Sequence, residues 1–321
     1  MKKWSVLLAC TLALALAACG GEGNENTNAN ETNQVQSNQV VDQDYHVKFV
    51  DALGKEHEFT QVPKTIATLN PGILDILLSL DANVTGRPTI SSEISDEIKA
   101  IQDLGNVHEP SFEQIVALRP EVLIVPASFQ RFAATLESAG IEVIYEDLDS
   151  IQQIKDSVKR YGEVFNQEEK ANDIIAEIQQ AEDEKISSTK NALIVYGAPG
   201  TYLAALDNSL YGDILNTVGG HNIASDLPAL DQYPNFASLS AEKIVKGDPQ
   251  VIMLITHANE KVVKSGFEKQ MSENAAWKNL DAVKNGNIII LPSDLFDNPG
   301  TQVVEALDYI RDVLEKAEAS K

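Results

Sequence analysis

The pattern S-x-E-x-I-V-x-x-x-P occurs twice, as SFEQIVALRP at Ser111 to Pro120 and as SAEKIVKGDP at Ser240 to Pro249. Each copy runs straight into an apolar stretch, EVLIV and VIMLI respectively. In both, the serine suits a helix cap, the glutamate a first turn, and the proline a break before a strand. Taken singly these are ordinary punctuation. Five matching positions at corresponding places in both halves constrain the chain to two lobes built on one plan.

The surrounding grammar agrees. In the first half KTIATL (64–69), VTGRP (84–88), EVLIV and EVIY (142–145) read as short apolar strands, alternating with helical runs at 73–80, 113–119 and 128–140. The second half has strands at 191–196, 251–255 and 288–291, with helices at 209–220, 275–280 and 305–317. Strands apolar on both faces that alternate with helices predict an α/β fold with parallel sheets. The segment 46–62 reads as a hairpin with its turn at Asp51 to Lys55. Between the halves, Ala171, Ile174, Ile175, Ile178 and Ala181 keep helical spacing, predicting one helix of roughly 20 residues, about 30 Å long. The expected architecture is two Rossmann-like lobes, 44–165 and 189–321, joined by a single long helix at 166–188, with a ligand cleft between them.

The first residues set the compartment. Lys2 and Lys3 precede a short apolar run that closes on LAAC at Leu16 to Cys19. That is an export signal spanning 1–18, and LAAC resembles a bacterial lipobox, implying cleavage before Cys19 and a diacylglycerol thioether on its sulfur. Cys10 leaves with the signal, so the mature chain keeps no free thiol for a disulfide or a thiolate metal site. The stretch 19–43, rich in Asn, Gln, Gly and Glu, is expected to be a disordered tether. With 25 Lys plus Arg against 48 Asp plus Glu, the formal charge of −23 argues against nucleic acid and against adhesion to anionic lipid, leaving Cys19 as the anchor.

No G-x-S-x-G, H-E-x-x-H, P-loop or G-x-G-x-x-G fingerprint is present, which argues against an enzyme. The motifs LNPGILDILLSL (69–80), GRP (86–88), LGNVHEPSFEQIVALRP (104–120), GAPGTYL (197–203), YGDILNTVGGHN (211–222) and WKNLDAVKNGNIII (277–290) point elsewhere. Through them the chain resembles, over 62–315, the helical-backbone class of ABC-transporter substrate-binding lipoproteins. These deliver iron-siderophores, haem or cobalamin, and the resemblance is nearest to haem-binding members. It implies a lipid-anchored protein on the outer face of a Gram-positive membrane, working with a permease dimer, its cytoplasmic ATPase and a cell-surface haem donor.

In haem-binding relatives the iron is held by a methionine of the first lobe and a histidine of the second. These fall on His108, in GNVHEP, and His257, in LITHANE. If both coordinate, the iron would be bis-histidine ligated; each alone could equally be a surface or hydrogen-bonding residue. Neutral imidazole is a good axial ligand for haem iron. His46, His57 and His221 are set aside as hairpin or capping residues.

A porphyrin needs apolar walls and a few polar anchors. The candidates are Pro71 and Ile73, Arg87 and Pro88, Ser128 and Phe129, and Tyr202 and Phe296, with Arg87 pairing a propionate unless it is merely solvated. Backbone N–H groups at 70–72 and 199–201 are further anchors, and 293–300 is an acidic cleft wall. Glu113 and Glu242 match, by the resemblance, the glutamates that pair with arginines of the permease; first-turn glutamates also favour the helix dipole. The alternatives are a ferric siderophore as cargo, or a surface lipoprotein with no transport role.

Overall fold

The computed structural model describes residues 45–90 and 92–317, so the signal peptide, Cys19 and the tether lie outside the described residues. Among the described residues no helix is long and apolar enough to cross a membrane.

Strands β1 (Val47–Val50) and β2 (Glu56–Phe59) form the antiparallel hairpin. Its turn is built by Asp51, whose Oδ1 accepts from the amides of Leu53 and Lys55. Asp51 also faces the first lobe, where its Oδ2 accepts from the Tyr145 amide and meets His57 Nε2 at 3.0 Å. The buried His57 ring reaches Glu142 with its other nitrogen, at 2.7 Å, and stacks on Phe49. His57 is therefore a structural fixture of the hairpin.

The first lobe follows as β3 (Ile66–Thr68), α1 (Pro71–Ser79), β4 (Val84–Arg87), α2 (Asp96–Ala100), β5 (Gln102–Asp103), α3 (Phe112–Leu118), β6 (Val122–Val125), α4 (Gln130–Glu137) and β7 (Glu142–Tyr145). Its five strands are all parallel in the order β5-β4-β3-β6-β7. All four residues of β6 are buried, as a central strand covered by helices on both faces requires.

Two helices carry the chain across. The first, α5 (Ile151–Val164), belongs to the first lobe and was not anticipated as an element; the second, α6 (Glu168–Asp183), is the connector. At 16 residues, about 24 Å, α6 is shorter than the helix expected over 166–188. It cannot start earlier because Asn166 takes a left-handed conformation (φ 56°), and it stops where Glu184 becomes extended.

The second lobe runs β8 (Asn191–Ala198), β9 (Thr201–Ala205), α7 (Leu210–Thr217), β10 (His221–Asn222), β11 (Ala229–Leu230), β12 (Tyr233–Ser238), α8 (Ala241–Gly247), β13 (Val251–Ile255), α9 (Glu260–Glu273), α10 (Asp281–Lys284), β14 (Ile288–Ile290), α11 (Ser293–Phe296) and α12 (Val303–Lys316). Here the parallel expectation is corrected. Only β10, β8, β13 and β14 pair in parallel, while β9, β12 and β11 extend the sheet antiparallel. The cause is local: Gly200, at φ +81°, turns β8 directly back as β9.

One apolar cluster spans the molecule, from Ile66, Ile73 and Leu77 through Ile154, Ile178 and Leu307 to Ile194 and Met253. A polar clamp adds to it at the seam. Asp75 on α1 accepts from the Thr301 amide (2.7 Å), the Thr301 hydroxyl (2.6 Å) and the Gln302 side chain (3.1 Å), all in the turn entering α12. Both backbones approach so closely that a Cβ on Gly300 would lie 2.5 Å from the carbonyl oxygen of Gly72. Glycine at 300, with φ +57°, is what lets this seam close.

Candidate functional site

A cleft of about 730 Å³ opens between the lobes, within the range of small-molecule sites. Its first-lobe wall carries six apolar side chains, interrupted by Asp75, Thr89, Ser92, Glu93 and Ser95. Pro71, Leu74 and Leu78 recur along one face of α1, and Ile90, Ile94 and Ile98 come from the segment leading into α2. The N-terminus of α1 is shaped by Asn70, whose side-chain oxygen caps the amides of Gly72 (2.8 Å) and Ile73 (3.2 Å).

The second-lobe wall is polar and centres on His257. It stands two residues beyond β13, in a turn made by the buried Thr256, whose hydroxyl oxygen accepts from the Ala258 amide (3.0 Å). Asn259 then caps α9. Tyr196, opposite Ile255 in the sheet, meets the His257 ring edge-on at 5.9 Å. The ring remains 61% exposed toward the cleft it lines.

Asp297 orients that ring. Its Oδ2 lies 2.9 Å from His257 Nδ1, and its Oδ1 accepts from the Tyr211 hydroxyl at 3.0 Å. A carboxylate only accepts, so the contact favours the tautomer with the proton on Nδ1 and the lone pair of neutral His257 on Nε2, which has no hydrogen-bond partner among the described residues. The hydrogen bond to Asp297 raises the His257 pKa, against a smaller opposing effect of burial. Burial and the adjacent Asp297 charge push the Tyr211 hydroxyl well above its ordinary value, so Tyr211 stays a donor. This is an imidazole suited to be a ligand: Nδ1 lies against a carboxylate and Nε2 is open.

The remaining sequence candidates divide sharply. Pro71 lines the cleft with His257. His108 does not: it is exposed on the loop after β5, its amide bonded to Asn106, and it lines neither interlobe cavity. Arg87 is corrected from anchor to brace, since its buried guanidinium bonds Asp103 (3.0 Å) and the carbonyls of Ile98 and Pro88. Phe129 is core, packed among Phe112 and Phe132, and Phe296 is core against Tyr309. Tyr202 packs on Phe267 and donates to the Val263 carbonyl, holding α9 to the sheet. Ile73 and Pro88 are buried, Ser128 is exposed, and none of the three lines the cleft. The amides at 72 and 73 are taken by Asn70, and 199–201 forms the β8–β9 turn. The acidic segment 293–300 does line the cleft, through Ser293, Asp294, Asp297 and Asn298, but nothing local distinguishes Asp297 from Asp294 within it, and Asp75 and the Ile90–Ile98 residues carry no comparable signal.

Glu113 and Glu242 occupy matching places. Each is exposed in the first turn of a seven-residue helix, α3 or α8, that buries one isoleucine and ends on a left-handed residue, Arg119 or Asp248. The sequence echo is thus a structural one.

The profile of the periplasmic binding protein family matches residues 66–295. The chain belongs to this family. As a periplasmic binding protein it is a ligand-binding protein and not an enzyme. Among relatives, the high-affinity heme uptake system protein IsdE of Staphylococcus aureus is 28% identical over 241 residues, covering 73% of this chain and 79% of that one. The structure of S. aureus IsdE complexed with heme superposes with a TM-score of 0.68 at 23% identity, covering 78% of this chain and 99% of that one. The petrobactin-binding protein YclQ of Bacillus subtilis gives 0.67 at 23% identity, with 84% and 99% covered. These likenesses establish a bilobed α/β fold with mixed and parallel sheets and connecting helices.

Proposed function

We propose that this periplasmic binding protein is the substrate-binding component of an ABC importer, and that it captures haem between its lobes with His257 as the axial ligand to iron. The observation carrying this reading is the Tyr211–Asp297–His257 chain, which leaves Nε2 open on a cleft whose opposite wall presents Pro71, Leu74, Leu78, Ile90, Ile94 and Ile98. A second-lobe histidine is also what the resemblance to haem-binding relatives implies. His108 is assigned no role in binding, being off the cleft. The protein is held at the outer face of the membrane by lipid on Cys19, and Glu113 and Glu242 meet the two halves of the permease.

The test is a haemin titration of the full-length protein in mild detergent, followed in the visible spectrum, for wild type, H257A and H108A. A saturable one-to-one complex is expected whose iron spectrum is lost in H257A and retained in H108A. A spectrum indifferent to H257A removes haem coordination and moves the assignment to a ferric chelate that completes its own iron shell.

A further inference from the structure

Both walls of the cleft carry carboxylates. Glu260, Asp294 and Asp297 line it from the second lobe, and Asp75 and Glu93 stand among the apolar side chains of the first. No lysine or arginine lines the cleft among the described residues. The basic candidate, Arg87, is bound to Asp103, and Lys261, next to Glu260 in the chain, is not part of the lining. The smaller cavity of about 220 Å³ behind Asp297 adds Asp147 and Asp149 and again no cation. There burial and the nearby Asp147 charge raise the Asp149 pKa.

An anionic group pushed into such a cleft loses hydration and meets like charges with no compensating partner. An apolar plate with a positive centre gains on both counts: its plate is covered by the first-lobe wall, and its centre sits against His257 with the Asp297 carboxylate behind. Resting on the haem reading above, we propose that the cleft holds an iron porphyrin with both propionates projecting to solvent, unpaired by any protein cation. The protein then recognises the plate and the iron and is indifferent or averse to the carboxylates.

The experiment compares haemin with haemin dimethyl ester, which keeps the plate and the iron and removes both negative charges. Each is titrated into the full-length protein at low and high salt. The ester is expected to bind at least as tightly as haemin, by about threefold to tenfold at low salt, with the gap closing as salt screens the repulsion. Haemin affinity should rise with salt. Asp294→Lys should tighten haemin by about tenfold and leave the ester nearly unchanged, because only haemin carries a group for the new cation. An ester that binds tenfold weaker than haemin, or haemin binding that weakens with salt, overturns the proposal by showing that the propionates are held. Failure of both ligands to give a His257-dependent spectrum removes the haem reading itself, and this inference with it.

Discussion

The seam clamp at Asp75 makes a quantitative claim about stability. Asp75→Ala removes three hydrogen bonds at once, two from Thr301 and one from Gln302, and leaves the part-buried Thr301 amide facing the methyl group of alanine. Bonds to a charged acceptor are worth about 1.5–3 kcal/mol when one partner is deleted, and the Gln302 bond, being exposed, contributes least. The loss should total about 3 kcal/mol. In a body of this size each kcal/mol moves the melting temperature by roughly 2–3 °C, so a drop of roughly 6–9 °C is expected. Asp75→Asn keeps the shape but turns one oxygen into a donor facing donors, and should cost about half as much. The control is Asp312→Ala, which breaks only an exposed pair with Lys316 on α12 and should change stability by less than about 0.5 kcal/mol. Thermal unfolding followed by circular dichroism, with urea titration alongside, reads all three. A D75A shift no larger than that of D312A would show that the apolar cluster alone holds the lobes and that the clamp adds nothing.

Under the proposed haem function, iron and a proton would compete for His257 Nε2, and Asp297 would bias the contest by raising the imidazole pKa. In the free protein the imidazolium–Asp297 pair stabilises the fold below the ordinary histidine pKa and loses that contribution as pH rises through the raised one. Haemin affinity should run oppositely, falling as pH drops through the raised value. Asp297→Asn removes the cause of the shift, so the acid loss should move to lower pH; affinity at pH above the transition should fall about tenfold because the ring is less well oriented. Titrations across pH for both proteins check this, and an unchanged profile would remove Asp297 from its positioning role. Reversing both Glu113 and Glu242 to lysine should leave haemin affinity unchanged, since both helices lie outside the cleft lining, and abolish uptake through the permease. Normal uptake by the double variant would end the docking assignment.

How far the sequence reveals these features follows from how locally each is encoded. The first-lobe sheet was legible because β6 and β7 are short apolar runs separated by a helix, and only a strand buried on both faces needs that composition. The α3/α8 echo was legible for the same reason, since the first-turn charge and the closing proline lie within ten residues, although the serine caps only α8, where Ser240 accepts from the Lys243 amide, and Ser111 makes no side-chain cap bond. The β8–β9 reversal carried its own signal in Pro199-Gly200, a turn dipeptide between two strand-like runs, but was read as an anion-binding loop. Phe129 and Phe296 show the opposite failure: an aromatic residue near a strand end looks the same in sequence whether it faces the ligand or the core. Arg87 was misjudged because Asp103, its partner, is brought to it by the β4–β5 pairing, which nothing near position 87 announces.

The arrangement of α1 ties seam and cleft together. Pro71, Leu74 and Leu78 face the cleft at helical spacing, while Asp75, on the same side, reaches the second lobe at Thr301. The wall that would cover a ligand is therefore fixed to the opposite lobe before any ligand arrives. A binding surface already ordered in this way gives up little conformational entropy on capture, so under the proposed function affinity would be set by the surface the cargo covers and by the bond at Nε2 rather than by the work of closing two lobes. The same rigidity sharpens discrimination. With no basic side chain lining the cleft among the described residues and little freedom to bring one in, the charge pattern of the walls acts on every ligand that enters.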